Sequence, residues 1–333
     1  MKHPTKNITK KVAVMGCKHT TMDFILGLER FGFRIDHCIT ISQKKAQEQK
    51  VAGYMDIIPF LNKKSIPFTV ANTYALNSDK DKEALLKLKL DMVLVMGWQR
   101  LLPDWFLKSL RIGAFGMHGS SKPLPYGRGR SPLNWSLIQG KGLFYTHLFK
   151  YEPDVDSGPV VDVQTFDINI FDTCLTLHFK NTISMVRLCV KNLPKLIDGS
   201  AKMTHQSNKD ATYYPKRSEE DGLIYWDDST EDICNLVRAV TKPFPGAFSY
   251  IDNKPNKKIC VWSAQPFDKK ITYGNSKPGE IVEVFYNGMF AVKTKDSTLL
   301  VTESEGHNFT INDAGRILGH LNIPRKKWKN LPK

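Results

Sequence analysis

The first 117 residues alternate short apolar runs with stretches of helical period, and this restricts the fold more than any other feature of the chain. KVAVMG at 11–16 reads as a short buried strand. Phe24, Ile25, Leu28 and Phe31 then recur on one helical face. RIDHCITI at 34–41, IPFTV at 66–70 and DMVLVMG at 91–97 read as further strands. The segments between them read as helices, one ending near Asn62 and one spanning about 79–89. A short helix near 103–110 and a strand at 113–117 (GAFGM) complete the series. Strands alternating with helical crossovers specify a mostly parallel, Rossmann-like α/β sheet. MGCKHT, after the first strand, has one glycine where a dinucleotide fingerprint needs three.

The character then changes. GSSKPLPYGRGR at 119–130 is loop chemistry, and SPLNWSLIQG at 131–140 reads as a short helix. Strands at about 142–151 and 159–167 flank EPDVDSG, and a long helix covers roughly 173–197. Residues 198–221 are polar and without a period. Beyond them Ser229 can cap a helix with Glu231 and Asp232 in its first turn. Ile233, Leu236, Val237 and Val240 form its apolar stripe, and Pro243 ends it. AFSYI, KKICVW, GEIVEV, FAVKT and TLLVTES follow as short strands, the pattern of a small antiparallel barrel. A length of 333 residues suits two domains. The expected division is a first domain at 1–200, a linker at 201–221 and a second domain at 222–333.

Apolar residues make up 41% and charged residues 24%, which excludes disorder, collagen and coiled coil for the whole chain. No run reaches the ~18 apolar residues of a membrane span. The N-terminal residues lack the apolar segment of a signal peptide, so a cytoplasmic location is expected. The net charge is +15, yet residues 1–11 and 321–333 carry nine basic side chains and no acid. A phosphate-bearing partner fits this balance, and a nucleic-acid groove is not required by it. None of the six cysteines stands at C-x-x-C spacing, so neither a metal cage nor a redox dithiol is expected.

His118 follows the GAFGM strand, where open parallel sheets bind ligands, and an imidazole there can serve as acid or base. Alone it reads equally as a structural histidine. Asp156 in EPDVDSG reads alone as turn chemistry. Together, the aspartate could orient the imidazole if the turn faces it. These residues carry a resemblance. His-Gly-Ser at 118–120, Arg-Gly-Arg at 128–130, Pro-Leu-Asn-Trp at 132–135 and the later Asp-Ser-Gly resemble the 10-formyltetrahydrofolate-dependent formyltransferases. DGLIYW and NLVRAVTKPFPGAFSYI resemble the C-terminal, OB-like domain of that family. The resemblance covers about residues 10–320.

The resemblance implies a formyltransferase fold and N-formyl transfer from 10-formyltetrahydrofolate as co-substrate, with no metal. It implies His118 as catalytic histidine and Asp156 as its partner. Arg130 would line the folate site, with Arg100, Leu101 and Leu102 on one side of the pterin. Glu152, Pro153, Asp154, Val155 and Asp156 would lie on the other. The HGS and RGR forms resemble enzymes acting on nucleotide-linked 4-amino sugars of surface polysaccharides, a group that often forms homodimers. Methionyl-tRNA is the alternative acceptor, although SQKKAQEQKVAGYMDIIPF lacks the basic segment of the tRNA enzymes. A folate-binding homologue with reduced catalysis is the third reading. It arises because Gly116 stands where the family carries an asparagine that donates to the developing oxyanion. The loop from His118 to Arg130 is also two residues longer than the family's. A small residue there leaves room for another group, with Ser120, Ser121, Asn134 and Gln99 as candidate donors.

Overall fold

The computed structural model describes residues 10–51, 53–328 and 331–332. Of the basic terminal residues, Lys2, Lys6, Lys329 and Lys333 lie outside the described residues. Contacts divide the chain into two units that do not follow a linear cut. The first comprises residues 1–129, 143–167 and 178–212, and the second 130–142, 168–177 and 213–333. Residues 201–212, polar and aperiodic, thus group with the first unit. Their side chains hydrogen-bond into it, as described below.

The first unit begins β1 (Val12–Met15), α1 (His19–Arg30), β2 (His37–Ile41), α2 (Gln43–Glu48), α3 (Ile58–Lys63) and β3 (Phe68–Ala71). It continues α4 (Asp79–Lys87), β4 (Met92–Val95), α5 (Asp104–Ser109), β5 (Gly113–Ser120) and the two-residue β6 (Arg128–Gly129). After α6 (Pro132–Ile138), which belongs to the second unit, come β7 (Leu143–Lys150), β8 (Val160–Asp167) and α7 (Cys174–Asp198), the last of which groups with the first unit from His178 onward. The seven-stranded sheet has the order β3-β2-β1-β4-β5-β7-β8. Its first five strands are parallel, while β5–β7 and β7–β8 are antiparallel. Strands β1, β2 and β4 are buried along their whole length, as their apolar runs require. Val14, Cys38 and Leu94 pack on one face with Phe24, Leu28 and Met185 from α1 and α7. Ala13, Ile39 and Val93 pack on the other with Tyr74, Trp98 and Leu102.

The order reverses between β1 and β4, so the crevice beyond their carboxyl ends is the place for a ligand. The strand read at 113–117 is longer than its apolar run, because β7 continues the pairing after β4 ends. Val95 of β4 lies opposite Gly116, whereas β7 pairs as far as Ser120 with Tyr145. His118 is therefore inside a strand rather than after one, two residues beyond the end of the parallel neighbour.

The second unit adds β9 (Tyr213–Tyr214), α8 (Thr230–Val240), β10 (Ala247–Ile251), β11 (Lys258–Pro266), β12 (Ile281–Val284), β13 (Phe290–Lys293), β14 (Thr298–Glu305) and β15 (Leu318–Gly319). Ser229 caps α8 by accepting from the Asp232 N–H at 3.1 Å. Ile233, Val237 and Val240 are buried, while Leu236 is half-buried and Asn235 takes a buried place. The six-stranded antiparallel sheet runs β12-β13-β14-β11-β10-β15. It curls until Glu280, before β12, bridges Ile317, before β15. At the join Gly279 has φ +90°, and a side chain there would run into the Leu318 carbonyl.

Candidate active site

The site is built on the face of β5 that carries Gly116 and His118. His118 is 7% exposed. Its Nε2 lies 2.8 Å from the Gly127 carbonyl and its Nδ1 lies 3.2 Å from Asp156 Oδ2. A carbonyl only accepts, so Nε2 carries the hydrogen of its bond, and Nδ1 is the nitrogen turned to the carboxylate. The structure thus brings together the two residues that the sequence separates by 38 positions. Asp156 takes a left-handed φ of 47°, which aspartate tolerates in turns. Its Oδ2 also accepts from the Gly129 N–H at 2.9 Å.

A buried polar network holds this pair. Arg128 is 1% exposed and donates through Nε and Nη2 to Gln206 Oε1, at 3.1 and 2.9 Å, and through Nη1 to Asn208 Oδ1 at 2.9 Å. Gln206 Nε2 donates in turn to the Asp156 carbonyl at 2.9 Å and the Gly158 carbonyl at 2.6 Å. The Gly127 N–H donates to Thr212 Oγ1 at 2.9 Å. Buried His147 ties β7 to the same place. Its Nδ1 donates to the His118 carbonyl at 3.1 Å, and its Nε2 accepts from the Leu124 N–H at 3.1 Å. Burial lowers its pKa to about 4, with the His118 charge acting in the same direction.

The other expected site residues fall in different settings. Arg130 is exposed and lies in the second unit, where its N–H donates to the Tyr214 carbonyl at 3.0 Å. The buried arginine of the Arg-Gly-Arg pair is Arg128. Alternation alone does not say which of the two is covered. Glu152, Pro153, Asp154 and Val155 form an exposed turn before Asp156. Arg100 and Leu101 are exposed and Leu102 is buried, directly after β4 at the reversal in strand order. The Arg100 guanidinium lies 5.9 Å from the centre of the Tyr74 ring. Tyr74 packs on Trp98 with centroids 4.5 Å apart, and its hydroxyl accepts from the Gln99 N–H at 2.6 Å. Trp98 Nε1 is buried with no hydrogen-bond partner among the described residues. Asn134, one candidate donor, gives its amide to the Ala239 carbonyl at 2.6 Å within the second unit. Ser120 Oγ is buried without a partner among the described residues.

Gly116 makes room for Tyr151. A Cβ at position 116 would overlap the Tyr151 ring at Cε2 and lie 3.0 Å from its Cζ and Oη. Tyr151 follows β7, and its N–H donates to the Ala114 carbonyl at 2.8 Å. Among the described residues no group of three His, Cys, Asp or Glu side chains could hold a metal ion. No helix among them is long and apolar enough to cross a membrane.

Residues 10–183 match the formyl transferase family and residues 216–313 match the formyl transferase C-terminal domain. The fold is shared with HypX from Aquifex aeolicus in complex with tetrahydrofolic acid (TM-score 0.61, 18% identity), over 90% of this chain and 44% of that one. This chain therefore spans less than half the length of HypX. An N-formyltransferase from Helicobacter canadensis, in complex with folinic acid and dTDP-3-aminofucose, is similar over 89% of this chain and all of its own (TM-score 0.62, 15% identity). WlaRD, a sugar 3N-formyl transferase, is similar over 90% and 98% of the two chains (TM-score 0.61, 16% identity). With both domains matched in order on this shared fold, the chain belongs to the formyl transferase family.

Proposed function

We propose that the protein transfers the formyl group of 10-formyltetrahydrofolate to the amino group of a nucleotide-linked 4-amino sugar used in surface polysaccharide synthesis. The observation that carries this reading is the His118–Asp156 pair, 3.2 Å apart on a strand that outruns its parallel neighbour. The residues present suit a folate. Trp98 Nε1 is a buried donor with no partner among the described residues, on an indole that packs against Tyr74 and clusters with Leu102. The turn Glu152–Asp156, which carries three carboxylates, directly follows Tyr151 of the cluster that holds Trp98 and Leu102. When bound, the folate supplies an activated formyl carbon. His118 then stabilises or protonates the formyl oxygen as charge develops on it. Asp156 holds the imidazole and takes up a proton from the attacking amine. The Arg128–Gln206 network keeps the Asp156 turn in place.

The sugar reading draws support from the His-Gly-Ser and Arg-Gly-Arg forms and from the two sugar formyltransferases that share the fold. Pairing of two copies belongs to the same reading. Methionyl-tRNA is the second reading, favoured by the C-terminal domain and the net charge of +15. The test is a panel of UDP- and dTDP-linked 4-amino and 3-amino sugars with 10-formyltetrahydrofolate. Tetrahydrofolate release with a 4-amino sugar is expected, falling at least a hundredfold in His118→Ala. No release with any sugar, or full activity in His118→Ala, overturns the assignment.

A further inference from the structure

We propose that Tyr151 is a catalytic residue of this formyltransferase, its phenolic O–H being the hydrogen-bond donor to the formyl oxygen beside His118. The inference rests on the functional reading above. Residues 114, 116 and 118 alternate onto one face of β5, and in the antiparallel register Gly116 lies opposite Phe149 and His118 opposite His147. Tyr151, two residues beyond Phe149, belongs to the same face and packs in the same apolar cluster as Ala114, Trp98 and Leu102. The opposite face, with Phe115 and Leu148, belongs to the other core. Gly116 has no side chain, and Tyr151 occupies that space, its Oη 3.0 Å from where a Cβ would stand. The hydroxyl has no hydrogen-bond partner among the described residues, so its proton is available to a ligand.

The surroundings keep that proton in place. Burial raises the Tyr151 pKa, and the charges of Asp156 and Tyr74 raise it further. Raising a phenol's pKa keeps it a neutral donor at working pH. Gly116 stands two residues before His118 on that face, so the hydroxyl that fills the Gly116 space is next to the His118 position on the strand. In the transfer a bond forms between the acceptor nitrogen and the formyl carbon, and the bond from that carbon to the folate nitrogen breaks. An electron pair moves onto the formyl oxygen and returns. The acceptor nitrogen loses one proton and the folate nitrogen gains one. Tyr151 keeps its own proton, and its hydrogen bond to the oxygen strengthens while that oxygen is charged.

Tyr151→Phe removes the donor and keeps the ring that fills the Gly116 space. Turnover is expected to fall on the order of 10²-fold or more, with a much smaller rise in KM for 10-formyltetrahydrofolate. Binding reads the same contact without turnover. The protein should hold 10-formyl-5,8-dideazafolate more tightly than 5,8-dideazafolate, and Tyr151→Phe should remove that preference while binding the unformylated compound as before. A variant that keeps both turnover, within threefold, and the preference overturns the proposal. So does Ser120→Ala if it alone produces these losses, since Ser120 Oγ, on β5, is a buried donor without a partner among the described residues. If neither compound binds the unaltered protein, the folate reading itself fails, and the role of Tyr151 fails with it. If both bind and Tyr151→Phe shifts nothing, only the role of Tyr151 is lost.

Discussion

Position 116 shows how one missing side chain sets its neighbours. The Tyr151 ring overlaps the place of a Cβ on Gly116, so even a small side chain there must displace a half-buried ring. Gly116→Asn is therefore expected to lower stability by about 1–3 kcal/mol, the usual cost of overpacking. It should also lower activity, because displacing the ring removes the hydroxyl from the site. Melting temperature and turnover, measured together, check this. A variant as stable as the original and more active would mean that the position lacks a donor and gains one. The His118–Asp156 contact depends on residues that carry no chemistry of their own. Gln206 joins the buried Arg128 guanidinium to the main chain of the Asp156 turn, and a charge so deeply covered requires such partners.

At the scale of elements, the antiparallel pair β5–β7 makes the site possible. It extends β5 beyond β4 and brings in His147, which bonds to β5 at the His118 carbonyl. His147 is buried and neutral, with a pKa of about 4 in place of the ordinary 6.5. The unfolded chain therefore takes up the proton first as pH falls. Stability is full above about pH 6.5 and drains away as pH falls toward 4, by about 3 kcal/mol for this histidine alone. His178, also lowered to about 4 by burial, adds to the loss in the same window. Urea midpoints measured between pH 7 and pH 4.5 should fall accordingly, and less steeply in His147→Asn. Equal slopes in the two proteins would contradict the neutral, buried role.

For the whole molecule, the charge of +15 is the property that bears on the acceptor. Nine basic side chains lie in the two ends, and such ends bind polyanions through phosphate contacts without reading sequence. Retention of tRNA is thus expected at low salt, equal for initiator and other tRNAs, and lost by roughly 0.2 M salt. Initiator-specific binding that survives that salt would favour the tRNA reading over the sugar reading. The repeated pattern of strand and helix was legible because buried parallel strands must be apolar on both faces, as in DMVLVMG. The α8 cap and stripe were legible because they are local. His118 and Asp156 could be named from the sequence through their motifs. Their 3.2 Å separation, the choice of Arg128 over Arg130 for burial, the recruitment of Gln206 from a polar aperiodic stretch and the entry of Tyr151 into the Gly116 space were decided by tertiary structure. Each depends on which strand pairs beyond the end of another and on which polar groups must satisfy a buried charge. Those are relations between segments distant in the chain, and no local pattern of residues encodes them.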